Sequence, residues 1–174
     1  MAYYLKNNTK EIKLIILDVD GTLTDGSIYI DNNGLESKAF NVKDGLAIVE
    51  AERLGMLFAI ITGRDSKIVQ MRAEELKIKE IHQAVKNKLS KLDELAGKYN
   101  LSYDEIAYMG DDINDLPIIN KVGLSGAPKD SVQEIKETAD LISSSCGGKG
   151  AVREFIEYIL KKNGQWNKVL AKYK

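Results

Sequence analysis

Short, unbroken runs of Ile, Val and Leu recur along the chain at residues 12–17, 56–61, 81–85, 106–109, about 122–124 and 141–142. Because they are apolar at successive rather than alternate positions, they suit strands buried on both faces. Between them the apolar residues fall on a helical period, in DGLAIVEAERLG, SKIVQMRAEELK, KLSKLDELAGKYN, NDLPIINKV, SVQEIKETA and GAVREFIEYILKKNG. Strand and helix alternate throughout, which predicts a parallel sheet with helices on both faces. One segment departs from this rhythm. GSIYIDNNGLESKAF reads as two short strands around Asn33-Gly34, a strong hairpin signal, and places a flap at about residues 26–41, directly after the first strand. The tail, about residues 163–174, is amphipathic but short, and its pattern fits either a frayed end or a segment docked on another subunit. With no internal repeat, no linker and only Pro117 and Pro128 as prolines, a single domain over residues 1–174 is expected.

Composition narrows the setting. A chain of 174 residues buries roughly 70% of its unfolded surface, so no disulfide is required. Cys146 is the sole cysteine, in keeping with a reducing cytoplasm. The opening MAYYLKNNTKEIK lacks the apolar core of a leader, and runs such as MLFAII are too short to cross a bilayer, so a cytoplasmic protein is expected. Twenty-five basic and 26 acidic residues leave a net charge of −1, which offers no broad attraction to nucleic acid or to a membrane surface. His82 is the lone histidine; it excludes multi-histidine metal sites and, inside a predicted strand, reads as structural.

The chemistry gathers at strand ends. Asp18 and Asp20 close the first strand, and a spacing of two places both carboxylates on one face, where they repel unless a cation sits between them. Thr62-Gly63-Arg64 ends the second strand, Lys88 opens the helix after the third, and GDDIND, residues 110–115, follows the fourth. Ligands of open α/β sheets bind at this edge. A donor set of oxygens alone suits Mg²⁺, which brings a phosphate with it. With Asp18 neutralised, its carboxylate can attack a phosphoryl group and form an aspartyl phosphate. Thr62 and Lys88 would hold the phosphoryl oxygens, while Asp20 protonates the leaving alkoxide and then activates water. Each motif also has a plainer use. Asp-Gly favours turns, Asp65, Ser66 and Asn114 are good helix caps, and Arg64 and Arg72 suit surface ion pairs. CGGKGAVR places Arg153 one residue too far from Cys146 for a cysteine-phosphatase loop, leaving a glycine-rich helix entry whose amides suit an anion.

DVDGTLTDG, TGR, a lysine and GDDIND, in that order over residues 18–115, resemble the motifs of the haloacid dehalogenase-like phosphohydrolases. The resemblance implies a Rossmann-like doubly wound parallel sheet with Asp18 as nucleophile, Asp20 as acid/base, and Thr62 and Lys88 as phosphate binders. It implies Mg²⁺ on Asp18, Asp111 and the main-chain carbonyl of Asp20, with Asp112, Asn114 and Asp115 behind these ligands. Lys86 and Lys91 lie close by, but QAVKNKL resembles the family stretch that singles out Lys88. The gaps before Thr62 and before Lys88 leave no room for a cap domain. Capless members form homotetramers in which the hairpin and tail of one subunit reach toward the next, which would shield the phosphoryl site from water. DGSIY, FNVKDGLAI and GGKGAVREFIEYIL are similar to stretches of the 3-deoxy-D-manno-octulosonate 8-phosphate (KDO 8-phosphate) phosphatases of lipopolysaccharide precursor synthesis. Arg64 stands where relatives acting on KDN 9-phosphate carry glutamate. With Arg72 it would meet a sugar-acid carboxylate beside Thr62, Gly63 and Lys88. Thr22 replaces the subgroup's usual valine. The expected activity is Mg²⁺-dependent hydrolysis of KDO 8-phosphate; the alternatives are KDN 9-phosphate hydrolysis, a phosphotransfer, or a catalytically idle phosphatase-like oligomerisation module.

Overall fold

Apolar runs without alternation need cover on both sides, and the topology supplies it. The computed structural model describes residues 10–174, so most of the N-terminal stretch read above as lacking a leader lies outside the described residues. A parallel sheet is built from β1 (Leu14–Leu17), β4 (Leu57–Ile61), β5 (Glu80–His82), β6 (Ile106–Met109), β7 (Leu124–Ala127) and β8 (Leu141–Ile142), in the order β5-β4-β1-β6-β7-β8. From β1 the chain steps outward to β4 and β5, then crosses back to β6 on the other side, so β1 sits at the switch point where the sheet opens a crevice. Leu17 lies opposite both Ile60 and Met109, which places the next residue, Asp18, at the floor of that crevice.

Alternate residues of β1 serve two cores. Ile15 and Leu17 pack with α1 (Val42–Arg53), α2 (Lys67–Glu75) and α6 (Ala151–Lys162); Leu14 and Ile16 pack with α3 (Lys88–Tyr99), α4 (Leu116–Ile119) and α5 (Gln133–Thr138). Asn41 and Asn87 cap α1 and α3 by accepting from the amides of Lys43 and Ser90; α3 opens at Lys88 as read from the sequence, while α1 begins two residues before the DGLAIVEAERLG segment. The flap consists of β2 (Tyr29–Ile30) and β3 (Glu36–Ser37), an antiparallel pair. No helix among the described residues is long and apolar enough to cross a membrane.

Three elements differ from the pattern, each for a local reason. β7 is LSGA at residues 124–127 rather than the apolar stretch around 122–124; Ser125 is at home in the core because Asp140 accepts from both its amide and its hydroxyl at 2.8 Å. β5 stops at His82, since Ala84 takes a left-handed φ of 53° and turns the chain back over the strand ends, where the Val85 amide donates to Thr62 O at 3.0 Å. The tail is neither frayed nor free: α7 (Trp166–Ala171) folds onto its own chain, with Val169 buried in the α6 core and Tyr173 Oη donating to Glu50 at 2.7 Å.

Gly126 has no spare room: a Cβ there would lie 2.6 Å from the fully buried Phe155 ring. Gly126→Ala is expected to lower stability by about 1–3 kcal/mol through overpacking. Gly97→Ala, on α3 where a Cβ meets nothing within 4 Å, is expected to raise it by about 0.5–1 kcal/mol. Urea midpoints at unchanged m-value check both signs.

Candidate active site

Asp18 extends the β1 ladder by donating its amide to Met109 O at 3.0 Å, which fixes its side chain in the crevice at 6% exposure. A tight loop follows, closed by Thr24 N donating to Val19 O at 3.0 Å. Gly21 sits at φ 89°, and a Cβ there would fall 2.0 Å from Asp111 Oδ2, so only glycine lets the GDDIND loop approach. The glycine-rich entry to α6 braces the same loop from behind. A Cβ on Gly147 would lie 1.8 Å from Gly21 O, Gly148 N donates to Thr22 O at 3.0 Å, and Gly147 N donates to Asp130 Oδ1 at 2.9 Å. These two amides are committed to protein acceptors, so close backbone packing explains the glycines better than anion binding.

Lys88 reaches the crevice buried, at 5% exposure. Its Nζ donates to Asp18 Oδ1 at 2.9 Å, to Asp115 Oδ1 at 2.5 Å and to Tyr108 Oη at 3.3 Å. Asp115 is saturated: Oδ1 also accepts from Tyr108 Oη at 2.5 Å, and Oδ2 from the amides of Asp111 and Asp112 at 3.0 and 3.3 Å. Asp18, Asp111 and Asp115 each place an oxygen within 4.8 Å of the others. Among the described residues the Asp111 carboxylate accepts only a long bond from the Thr22 hydroxyl, at 3.4 Å, so it and Asp18 keep open coordination capacity.

The electrostatics record a shortage of positive charge. Burial pushes Asp18 up to about 6, opposed by Lys88 and reinforced by Asp115. Burial likewise pushes Asp111 up to about 8, with Asp18, Asp115 and Asp112 adding to the rise. Burial works against the Lys88 ammonium, but Asp18 and Asp115 outweigh it and hold its pKa above the usual lysine value. One ammonium among two buried carboxylates and a half-buried one, all offering oxygen donors, fits a small divalent cation such as Mg²⁺.

Asp20 lies apart. Its carboxylate is paired with Lys38, and Arg64 Nε stands 3.7 Å away. Glu36 of β3 accepts from both cations, at 3.2 Å from Lys38 Nζ and 3.1 Å from Arg64 Nη2. Thr62 is buried and pinned through its amide to His82 O at 3.0 Å, with Gly63 and Arg64 leading away toward the flap. Arg72 pairs with Glu75 at 2.7 Å and lies 5.8 Å from the Phe40 ring, against α1; these contacts do not join it to the Asp18 cluster. Asp112 caps the short turn by accepting from Ile113 N at 2.7 Å; it and Asn114 face outward, and Asp115 alone of the three lies behind the cluster. Sequence reasoning missed Tyr108, Glu36 and Lys38. A tyrosine inside the apolar strand IAYM, and a lysine with a 1% exposed side chain next to the hairpin, carry no motif; only the unusual burial of a polar group marks them.

A model of haloacid dehalogenase-like hydrolases matches residues 77–156. The chain is 42% identical over 165 residues to the 3-deoxy-D-manno-octulosonate 8-phosphate phosphatase KdsC of Salmonella typhi, covering 95% of this chain and 88% of that protein. Identity to the Escherichia coli K12 protein of the same name is 44%, over 90% and 83% of the two chains. Among solved structures, the Moraxella catarrhalis 3-deoxy-D-manno-octulosonate 8-phosphate phosphatase, in complex with magnesium, phosphate and KDO, superposes with a TM-score of 0.93 at 38% identity, over 96% of each chain. The cobalt-bound Haemophilus influenzae phosphatase superposes with a TM-score of 0.86 at 37% identity, over 90% and 91%.

The raised carboxyls set a pH dependence. In the folded protein Asp18 and Asp111 titrate near 6 and 8 against an unfolded 3.8, and Asp44, pushed up to about 6 by burial, adds to the same effect. Through these three groups the folded state holds more protons than the unfolded chain, and above about pH 5.5, where the lowered carboxylates are ionised in both states, chelated protein loses stability as pH rises toward about 8. Magnesium binds the ionised carboxylates, so its stabilisation grows over the same interval. Thermal melts are expected to show a lower Tm in EDTA at about pH 8.5 than at about pH 5.5, with the larger magnesium-induced rise at the higher pH.

Proposed function

We propose that this chain, which belongs to the haloacid dehalogenase-like hydrolases, is a Mg²⁺-dependent phosphatase that hydrolyses 3-deoxy-D-manno-octulosonate 8-phosphate to KDO and inorganic phosphate. The observation that carries this reading is the Asp18 carboxylate, buried at a strand end with Lys88 at 2.9 Å and an Asp111 oxygen within metal-sharing distance. Asp18, Asp111 and the main-chain carbonyl of Asp20 would hold Mg²⁺, which when bound neutralises charge on the carboxylates and on the phosphoryl group.

Asp18 attacks phosphorus, and the bond from phosphorus to the sugar oxygen breaks as Asp20 delivers a proton to that oxygen. Water then attacks the aspartyl phosphate, Asp20 takes its proton, and the bond between phosphorus and Asp18 breaks to release phosphate. Thr62 and Lys88 hold the phosphoryl oxygens while charge redistributes. Arg64, close to Asp20 and 46% exposed at its side chain, would meet the sugar-acid carboxylate. A cation here favours the octulosonate over KDN 9-phosphate, for which similar enzymes carry glutamate. The same arrangement would be idle in a purely oligomerising module.

The working form is a homotetramer of single-domain subunits in the cytoplasm. Ile30, Leu35, Val42 and Met71 are 66%, 66%, 78% and 69% exposed on the flap, α1 and α2, and this apolar surface supports a neighbouring subunit there. A lone free cysteine agrees with a reducing compartment.

Asp18→Asn is expected to cut phosphate release from KDO 8-phosphate at saturating Mg²⁺ by at least about 10³-fold, with the folded state retained by circular dichroism. Lys88→Ala is expected to cost about 10²–10³-fold in kcat. An Asp18→Asn protein of wild-type activity refutes the nucleophile.

A further inference from the structure

Two cations and two carboxylates close the mouth of the crevice. One oxygen of Glu36 is shared between Lys38 at 3.2 Å and Arg64 at 3.1 Å, and Asp20 offers its own oxygens to the same two cations. The four charges cancel, so an incoming anion finds no free positive seat until one carboxylate leaves. Asp20 is fixed by the loop after β1. Glu36 is not: its side chain, 26% exposed, is held by ion pairs to Lys38 and Arg64. A carboxylate held in this way can swing off its seat by side-chain rotation with the backbone unmoved.

We propose that the Glu36 carboxylate is an internal stand-in for the carboxylate of the substrate, filling the seat between Arg64 and Lys38 until the sugar acid displaces it. This rests on the reading of the substrate as a sugar-acid phosphate. Arg64 contributes a forked guanidinium and Lys38 a desolvated point charge, a pair complementary to one carboxylate. A sugar without a carboxylate cannot compensate both cations, so it leaves Glu36 in place. Glu36 thereby acts as a specificity-determining residue: only a ligand that replaces its charge takes the seat.

The test is competitive inhibition of p-nitrophenyl phosphate hydrolysis by free KDO and by D-mannose, in wild type and in Glu36→Gln. Removing an exposed competitor is expected to lower the KDO inhibition constant by about two- to fivefold and to shift the mannose constant less. In Glu36→Gln/Arg64→Ala the gain is expected to vanish. A KDO constant that rises, stays fixed or moves in step with that of mannose overturns the proposal, as does a gain that survives loss of Arg64. Failure of the substrate reading has a different signature: wild type then hydrolyses p-nitrophenyl phosphate but leaves KDO 8-phosphate intact. The inhibition constants are read without KDO 8-phosphate and decide on Glu36 in either case.

Discussion

Negative charge held out of water at the end of one strand is the constraint around which this protein is arranged. Asp18, Asp111 and Asp115 crowd together in a site that only the Lys88 ammonium partly neutralises. At about 4 Å and an effective dielectric near 20, each pair of ionised carboxylates repels by about 4 kcal/mol. Burial raises the pKa values of Asp18 and Asp111, and the neighbouring carboxylates, which one lysine cannot cancel, add to the rise. The same shortage makes the site receptive to a divalent cation.

Much of the surrounding backbone serves to hold that arrangement in place. Parallel register sets Asp18 beside Met109, the strand that leads into Asp111. Gly21 gives up its side chain so that Asp111 can approach, and Gly147 and Gly148 do the same so that the α6 entry can brace the loop. Asp115 spends all its acceptor capacity on Lys88, Tyr108 and two amides, which makes it a fastening rather than an open ligand. A buried polar group with every bond made can fix geometry; one with free lone pairs can bind.

The alternating pattern of strands and helices was legible because burial on both faces leaves a continuous apolar signature in Leu14–Leu17 and Ile106–Met109. It failed at β7, where Ser125 and Gly126 satisfy the core through Asp140 and Phe155 rather than through their own hydrophobicity. Asp18 was legible from its place at a strand end, whereas Lys88 and Asp111 were singled out by the resemblance of QAVKNKL and GDDIND to family stretches. Glu36, Lys38 and Tyr108 were not, because their importance arises from contacts across roughly 18 to 30 positions of chain that no periodicity encodes. The tail was ambiguous for a similar reason: its amphipathic pattern marks an apolar face but cannot say that its cover is α6 and Glu50 of the same chain.

The flap draws these threads together. No cap domain lies over the crevice among the described residues, and what the hairpin brings to its mouth is charge rather than bulk. Lys38 ties it to Asp20, and Glu36 ties it to Arg64, so Asp20 and Arg64 share one network. The Glu36–Arg64 pair, with side chains 26% and 46% exposed, is of the individually weak kind, on the order of 0.2–1 kcal/mol, whereas Lys38 is buried against Asp20. The buried cluster below is the opposite case: desolvation makes its interactions strong and its geometry rigid. Exchangeable pairing at the mouth and fixed pairing at the floor are therefore two outcomes of the same variable, the depth at which each charge lies.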